Sequence, residues 1–141
     1  MKNFLVILAL TGLVSSAFAE GITIIVNEKN PVTSLSRAQI SDFFMKRVKL
    51  WPDGIPLRFF DRTDGSDERR IFLKEIVKKS NRDTELYWIG QKLYSGHSAP
   101  SQVSSDLMTE IMVSKFPGAV GYVSREYETT RAVKKIPVTG L

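Results

Sequence analysis

Apolar and polar residues alternate along the chain with two distinct periods. Gly21-Ile22-Thr23-Ile24-Ile25-Val26-Asn27 is β-branched and apolar on both faces, which predicts a buried strand. Asn30-Pro31 interrupts it. Ser34 or Ser36 can cap a helix from Arg37 to Met45 that places Ile40, Phe43 and Phe44 on one face. Trp51-Pro52-Asp53-Gly54 reads as a turn, Ile55 to Phe60 as a second strand, and Asp61-Arg62-Thr63-Asp64-Gly65 as a polar loop. Ser66 then caps a helix running to Lys79, with Phe72, Leu73, Ile76 and Val77 as its apolar stripe. A third helix, from Asp83 to Leu93, aligns Leu86, Ile89 and Leu93. A fourth starts at Ser104 or Ser105, carries Leu107, Met108, Ile111 and Met112, and ends at Pro117-Gly118. Ala119 to Val123 reads as a short buried strand, and Arg131 to Val138 as an edge strand, where Pro137 is tolerated.

Strands that alternate with helices predict an α/β fold with a mostly parallel sheet, flanked by helices and connected by right-handed crossovers. No repeat or linker divides the chain, so residues 20–141 are expected to form one domain. Ahead of it, Lys2 precedes an apolar run from Phe4 to Val14 and then Ser15-Ser16-Ala17-Phe18-Ala19. These are the three parts of a cleavable secretory signal, which predicts export and removal of residues 1–19. Thr11, Gly12, Ser15 and Ser16 break the apolar run, which is short of the roughly 20 residues a spanning helix needs. The 141 residues contain no cysteine, so an exported domain of this sequence depends on packing alone and carries no thiol-linked lipid. The formal charge of +5 suits anionic partners in general.

The segment Asp61–Ser66 is the most suggestive chemically. It connects the carboxyl end of a strand to a helix, which is where open α/β sheets bind ligands. Unpaired amides at the helix start attract an anion, the Arg62 fork can grip an oxyanion, Gly65 lets the backbone approach, and Ser66 offers a hydroxyl. The same residues also make an ordinary helix cap, in which Asp67 and Glu68 favour the dipole. Other constellations are poorer. His97 is the only histidine and no nucleophile-elbow spacing is present, so the sequence does not read as an enzyme, and it calls for no cofactor or metal. Asp61, Asp64 and Asp67 recur every third residue but miss the EF-hand spacing. Lys46, Arg47 and Lys49 around Trp51 are interspersed with acids, so they read as a solvated face and not as a nucleic-acid surface. Tyr87, Trp88 and Tyr94 on the third helix are expected to pack at the sheet or to cover a groove.

Four segments, in order, resemble the second lobe of the phosphate-binding proteins that serve phosphate ABC transporters. Asn30-Pro31-Val32-Thr33-Ser34-Leu35-Ser36 through Phe44 is similar to that lobe's opening segment. Lys46 to Gly54 resembles its Trp-containing Asp-Gly turn, and Pro117-Gly118-Ala119-Val120-Gly121-Tyr122-Val123 its later buried strand. Arg62-Thr63-Asp64-Gly65-Ser66 followed by Phe72 is similar to its ligand loop. The resemblance implies a single lobe of a type II periplasmic-binding-protein-like fold, a periplasmic location, and an oxyanion such as phosphate at Arg62, Thr63, Asp64, Gly65 and Ser66. Two departures from the pattern stand out: the first lobe is missing, and Asp67-Glu68 replaces the family's Gly-Thr. Three contacts of about 1.5–3 kcal/mol each, set against at least about 4 kcal/mol of lost freedom, leave a lone lobe near millimolar affinity, about −4 kcal/mol. Tight capture would need a second surface, from a homodimer or a partner protein. The rival expectation is an envelope interaction protein that keeps the fold without a small ligand.

Overall fold

In the computed structural model, residues 21–141 are described; the expected signal sequence lies outside them. Strand β1 (Ile22–Asn27) is followed by β2 (Leu35–Ser36), α1 (Arg37–Phe44), β3 (Arg58–Arg62) and α2 (Asp67–Phe72). A π-helical turn (Leu73–Val77) leads to α3 (Asn81–Ser95), β4 (Ser101–Val103) and α4 (Asp106–Lys115). Strands β5 (Ala119–Ser124), β6 (Val133–Ile136) and β7 (Val138–Thr139) complete the chain.

The main sheet has the order β4-β3-β5-β1-β6. Strand β3 is parallel to β4 and β5, and β1 is antiparallel to both β5 and β6. Four strands therefore run one way and β1 alone runs against them, the mostly parallel α/β sheet predicted from the order of elements. A small parallel pair, β2 with β7, ties the start of α1 to the C-terminal segment.

Burial on both faces explains why the strand sequences read as continuous apolar runs. Ile22, Ile24 and Val26 join Phe59, Val120 and Tyr122 in one core with Phe44 of α1, Phe72 of α2 and Ile76 of the π turn. Ile25, Phe60, Ala119 and Val123 point the other way, onto Val113 of α4. Aromatic rings fill the first core: Phe72 stacks on Tyr122 at 4.3 Å, and Phe44 meets Phe72 edge-on at 5.2 Å.

Several boundaries differ from the sequence reading. The second strand is Arg58–Arg62, so Asp61 and Arg62 belong to its buried end and the loop shrinks to Thr63–Ser66. The helix capped by Ser66 widens into a π turn and stops at Lys78, whose φ of 58° is left-handed. On α3 the buried residues are Thr84 and Trp88, while Leu86, Ile89 and Leu93 face outward; Tyr94 is also exposed. On α4 the buried face is Thr109, Glu110 and Val113, and Leu107 and Met108 are exposed. Glu110 turns inward because it anchors the 127–131 segment, accepting the Thr130 and Arg131 amides and the Tyr127 hydroxyl. That bond and burial push the Tyr127 hydroxyl up to about 12.

One close approach holds the β3–β5 edge. The Gly118 carbonyl accepts from Trp51 Nε1 and from the Arg58 amide, both at 2.9 Å. A Cβ at Gly118 would lie 1.9 Å from the Pro56 carbonyl oxygen, so the two segments touch only because this residue has none. Gly118→Ala is expected to destabilise the protein by about 2–3 kcal/mol, read as a lower midpoint in urea unfolding with an unchanged slope.

Candidate functional site

The carboxyl end of β3 delivers two adjacent charged side chains, Asp61 and Arg62, to the edge of the core, and both are buried. A buried charge is tolerated only when paired and hydrogen-bonded. Asp61 meets that condition with the Tyr122 hydroxyl at 2.5 Å, the Arg62 amide at 2.8 Å and Arg69 Nε at 2.9 Å. Burial first, then the Asp61 charge and hydrogen bond, push the Tyr122 hydroxyl well above the ordinary tyrosine range, so it serves as a fixed donor. Arg69 is itself buried and also holds Asp64 at 3.1 Å and the Asn81 side-chain carbonyl.

Arg62 lies on the neighbouring side of this cluster. Its Nη1 donates to Asp106 at 2.5 Å, and its Nη2 lies 3.8 Å from Glu68. Asp106 is fixed in turn by the Ser124 amide at 2.9 Å and the Ser124 hydroxyl at 2.6 Å. Burial opposes its ionisation, but the two Ser124 bonds and the Arg62 guanidinium outweigh burial and hold its carboxyl below the usual range. Arg62 Nε is buried and has no hydrogen-bond partner among the described residues.

The remaining residues of the sequence-derived site lie around this pair. The Thr63 amide donates to the Val103 carbonyl at 3.2 Å, which joins the loop to β4. Asp64 is exposed and bonded to Arg69 and to Gln102 Nε2. Gly65 has a φ of +80° and open space around it. Ser66 is the N-cap, its hydroxyl accepting the Arg69 amide at 3.3 Å, and its own amide is bonded to the Thr63 carbonyl at 3.2 Å. The structure thus brings Arg62, Thr63, Asp64, Gly65 and Ser66 together in one corner. It also supplies residues that the sequence reading did not single out: Arg69, Asp106, Tyr122 and Ser124. Asp106 is 44 positions from Arg62, with only its place in the first turn after a serine cap to mark it.

The electrostatic balance follows directly. Among the described residues, the two guanidiniums Arg62 and Arg69 are contacted by four carboxylates: Asp61, Asp64, Glu68 and Asp106. The corner is net negative before any anion arrives, and the Arg62 fork already meets carboxylates at both terminal nitrogens. The three aspartates noted for their regular spacing do not share one partner: Asp67 is exposed and pairs with Arg70, while Asp61 contacts Nε and Asp64 contacts Nη1 of Arg69. His97 lies by Lys49, 3.0 Å away, far along the chain from this corner. Among the described residues no helix is long and apolar enough to cross a membrane.

Asp106 carries the clearest pH signature. Its pKa is depressed in the folded state, so its contribution is complete above the unfolded value and is lost as pH falls through the folded one. Asp106→Ala is expected to cost about 3 kcal/mol near neutrality, by leaving Arg62 short of a partner. In denaturant titrations this difference from the wild type should narrow below about pH 4, the ordinary aspartate range.

Comparison with known proteins places this geometry in a family. A family model described as a PBP superfamily domain matches residues 15–140. Among curated proteins no match was found. A solved structure from Clostridium perfringens, described as a phosphate ABC transporter substrate-binding protein with bound phosphate, is similar at 24% identity and a TM-score of 0.64. It is matched over 86% of this chain and 46% of its own. An ABC-type phosphate transport receptor from Vibrio cholerae is similar at 22% identity and a TM-score of 0.67, over 86% of this chain and 47% of its own. The chain therefore spans about half the length of these relatives, as the single-lobe resemblance implied. With a family match across nearly its whole length and the lobe's sheet and helices in place, this chain belongs to the PBP superfamily.

Proposed function

We propose that this chain is an exported, periplasmic, non-enzymatic solute-binding-like protein whose anion corner is closed by its own carboxylates, and that it works as an envelope accessory protein and not as a tight oxyanion receptor. On this reading residues 1–19 are a cleaved signal and residues 20–141 form the working domain. The observation that carries it is the state of Arg62, held by Asp106 at 2.5 Å with Glu68 at 3.8 Å. Glu68 stands where the resembling family has a small neutral residue, and its carboxylate takes the position toward the guanidinium that an incoming oxyanion would need. A dianion such as phosphate would have to displace it against a net negative corner.

A second reading has one observation in its favour. Among the described residues Arg62 Nε is buried and has no partner, so the guanidinium keeps one unused donor, and the Clostridium perfringens relative holds phosphate. A small oxyanion at Arg62, Thr63, Asp64, Gly65 and Ser66 would then bind weakly, near the millimolar affinity of about −4 kcal/mol.

Phosphate titration by calorimetry, with thermal melting alongside, separates the two. The first reading expects no heat and no thermal shift for the wild type at millimolar phosphate. It expects a measurable response once the Arg62 fork is released in Glu68→Gln, with Arg62→Ala in that background abolishing it. Saturable millimolar binding by the wild type that Arg62→Ala abolishes would establish the second reading. A sub-micromolar constant for the wild type would refute both.

A further inference from the structure

Helix α3 is attached to the body through one side only. Thr84 and Trp88 are its buried residues, and Tyr87 reaches across to donate its hydroxyl to the Met45 carbonyl at 2.8 Å. At about 100° per residue, Leu86, Ile89 and Leu93 fall within about 60° of one another, on the side opposite Thr84 and Trp88. They are 54%, 57% and 75% exposed. Single exposed apolar residues are ordinary, but three on one helical seam form a contiguous strip.

Gly90 borders the same strip. A mid-helix glycine costs about 0.5–1 kcal/mol relative to alanine, and this one has no neighbour within 4 Å of the position a Cβ would take. Nothing among the described residues requires a small residue there. A second helix lying against the strip would, because a glycine lets two backbones come close.

We propose that α3 is a self-association surface, on which two copies of this chain pair their α3 helices antiparallel about a twofold axis between Ile89 and Gly90. A twofold interface must be self-complementary, and the sequence of α3 satisfies this in one register. Ile89 meets the partner's Ile89 beside the axis, Leu86 packs against the partner's Leu93, and the two Gly90 positions allow close approach. Charge fits the same register. Glu85 and Lys92 lie on the same flank of the strip, and in an antiparallel pair like flanks face each other. Glu85 of one copy therefore comes within about 3 Å, along the axis, of the partner's Lys92, twice per dimer. Both side chains are exposed; Glu85 accepts from Asn81 Nδ2 and Lys92 donates to the Ser98 hydroxyl, each at 3.2 Å, and neither is held in an ion pair among the described residues. The strip from Leu86 to Leu93 is only about 10 Å long, well below a standard interface of about 800 Å² per partner, so the dimer is a reversible, micromolar one.

Sedimentation velocity of the purified protein from about 1 μM to 1 mM tests this, with circular dichroism to establish that each variant is folded. The wild type is expected to pass from monomer to dimer over that range. Ile89→Lys, a change at an exposed position, should stay monomeric throughout. Glu85→Lys and Lys92→Glu should each raise the dissociation constant about tenfold or more, and the double variant Glu85→Lys with Lys92→Glu should return to within about threefold of the wild type. A wild type that stays monomeric at the highest concentration, an Ile89→Lys protein that still dimerises, or single variants that are not rescued by the double would each overturn the proposal. None of these outcomes bears on the state of Arg62, so the proposed function stands or falls separately.

Discussion

The ionic cluster at the end of β3 governs this structure. Asp61 and Arg62 are consecutive residues of a strand, so their side chains leave opposite faces of the sheet, and both must be neutralised inside the protein. Asp61 recruits Tyr122 from β5 and Arg69 from α2. Arg62 recruits Asp106 from the start of α4 and Glu68 from the start of α2. One strand terminus thus fixes the position of two helices and a neighbouring strand. Removing one member leaves an opposite charge buried without its partner, which costs more than the pair contributes.

The same cluster that organises the fold changes the chemistry of the corner. In an open α/β sheet the carboxyl end of a strand that leads into a helix is a natural anion mouth, since the arginine and the helix amides point the same way. Here the protein supplies the anions itself. Asp67 and Glu68 occupy the first turn of α2, where they satisfy the helix dipole, and Glu68 also faces Arg62. The lobe architecture is that of the PBP superfamily, while the charge balance is that of a self-contained ion-pair network.

Much of this fold could be read in the sequence because its cues are local. The β-branched run of β1, the Ser36 and Ser66 caps and the Pro117-Gly118 stop all act within a few residues. Features that depend on distant partners could not. Leu86, Ile89 and Leu93 have the spacing of a core stripe, yet Trp88 and Thr84 win the inward side, because Trp88 packs edge-on against Phe44 at 6.1 Å. Glu110 looks like a surface residue in a helical pattern until the 127–131 segment folds over it. Arg62 to Ser66 could be proposed together because they are contiguous; Asp106, which pairs with the Arg62 guanidinium, and Ser124, which fixes Asp106, come from elements far away in sequence.

The central claim is that carboxylates of the protein itself occupy both terminal nitrogens of the Arg62 guanidinium. A crystal structure grown from concentrated phosphate tests it most directly. The account predicts Arg62 still paired with Asp106, Glu68 still facing it, and no phosphate oxygen within hydrogen-bond distance of Arg62 or Ser66. A phosphate seated between Arg62 and the Ser66 hydroxyl, with the Glu68 carboxylate swung out to solvent, would contradict it.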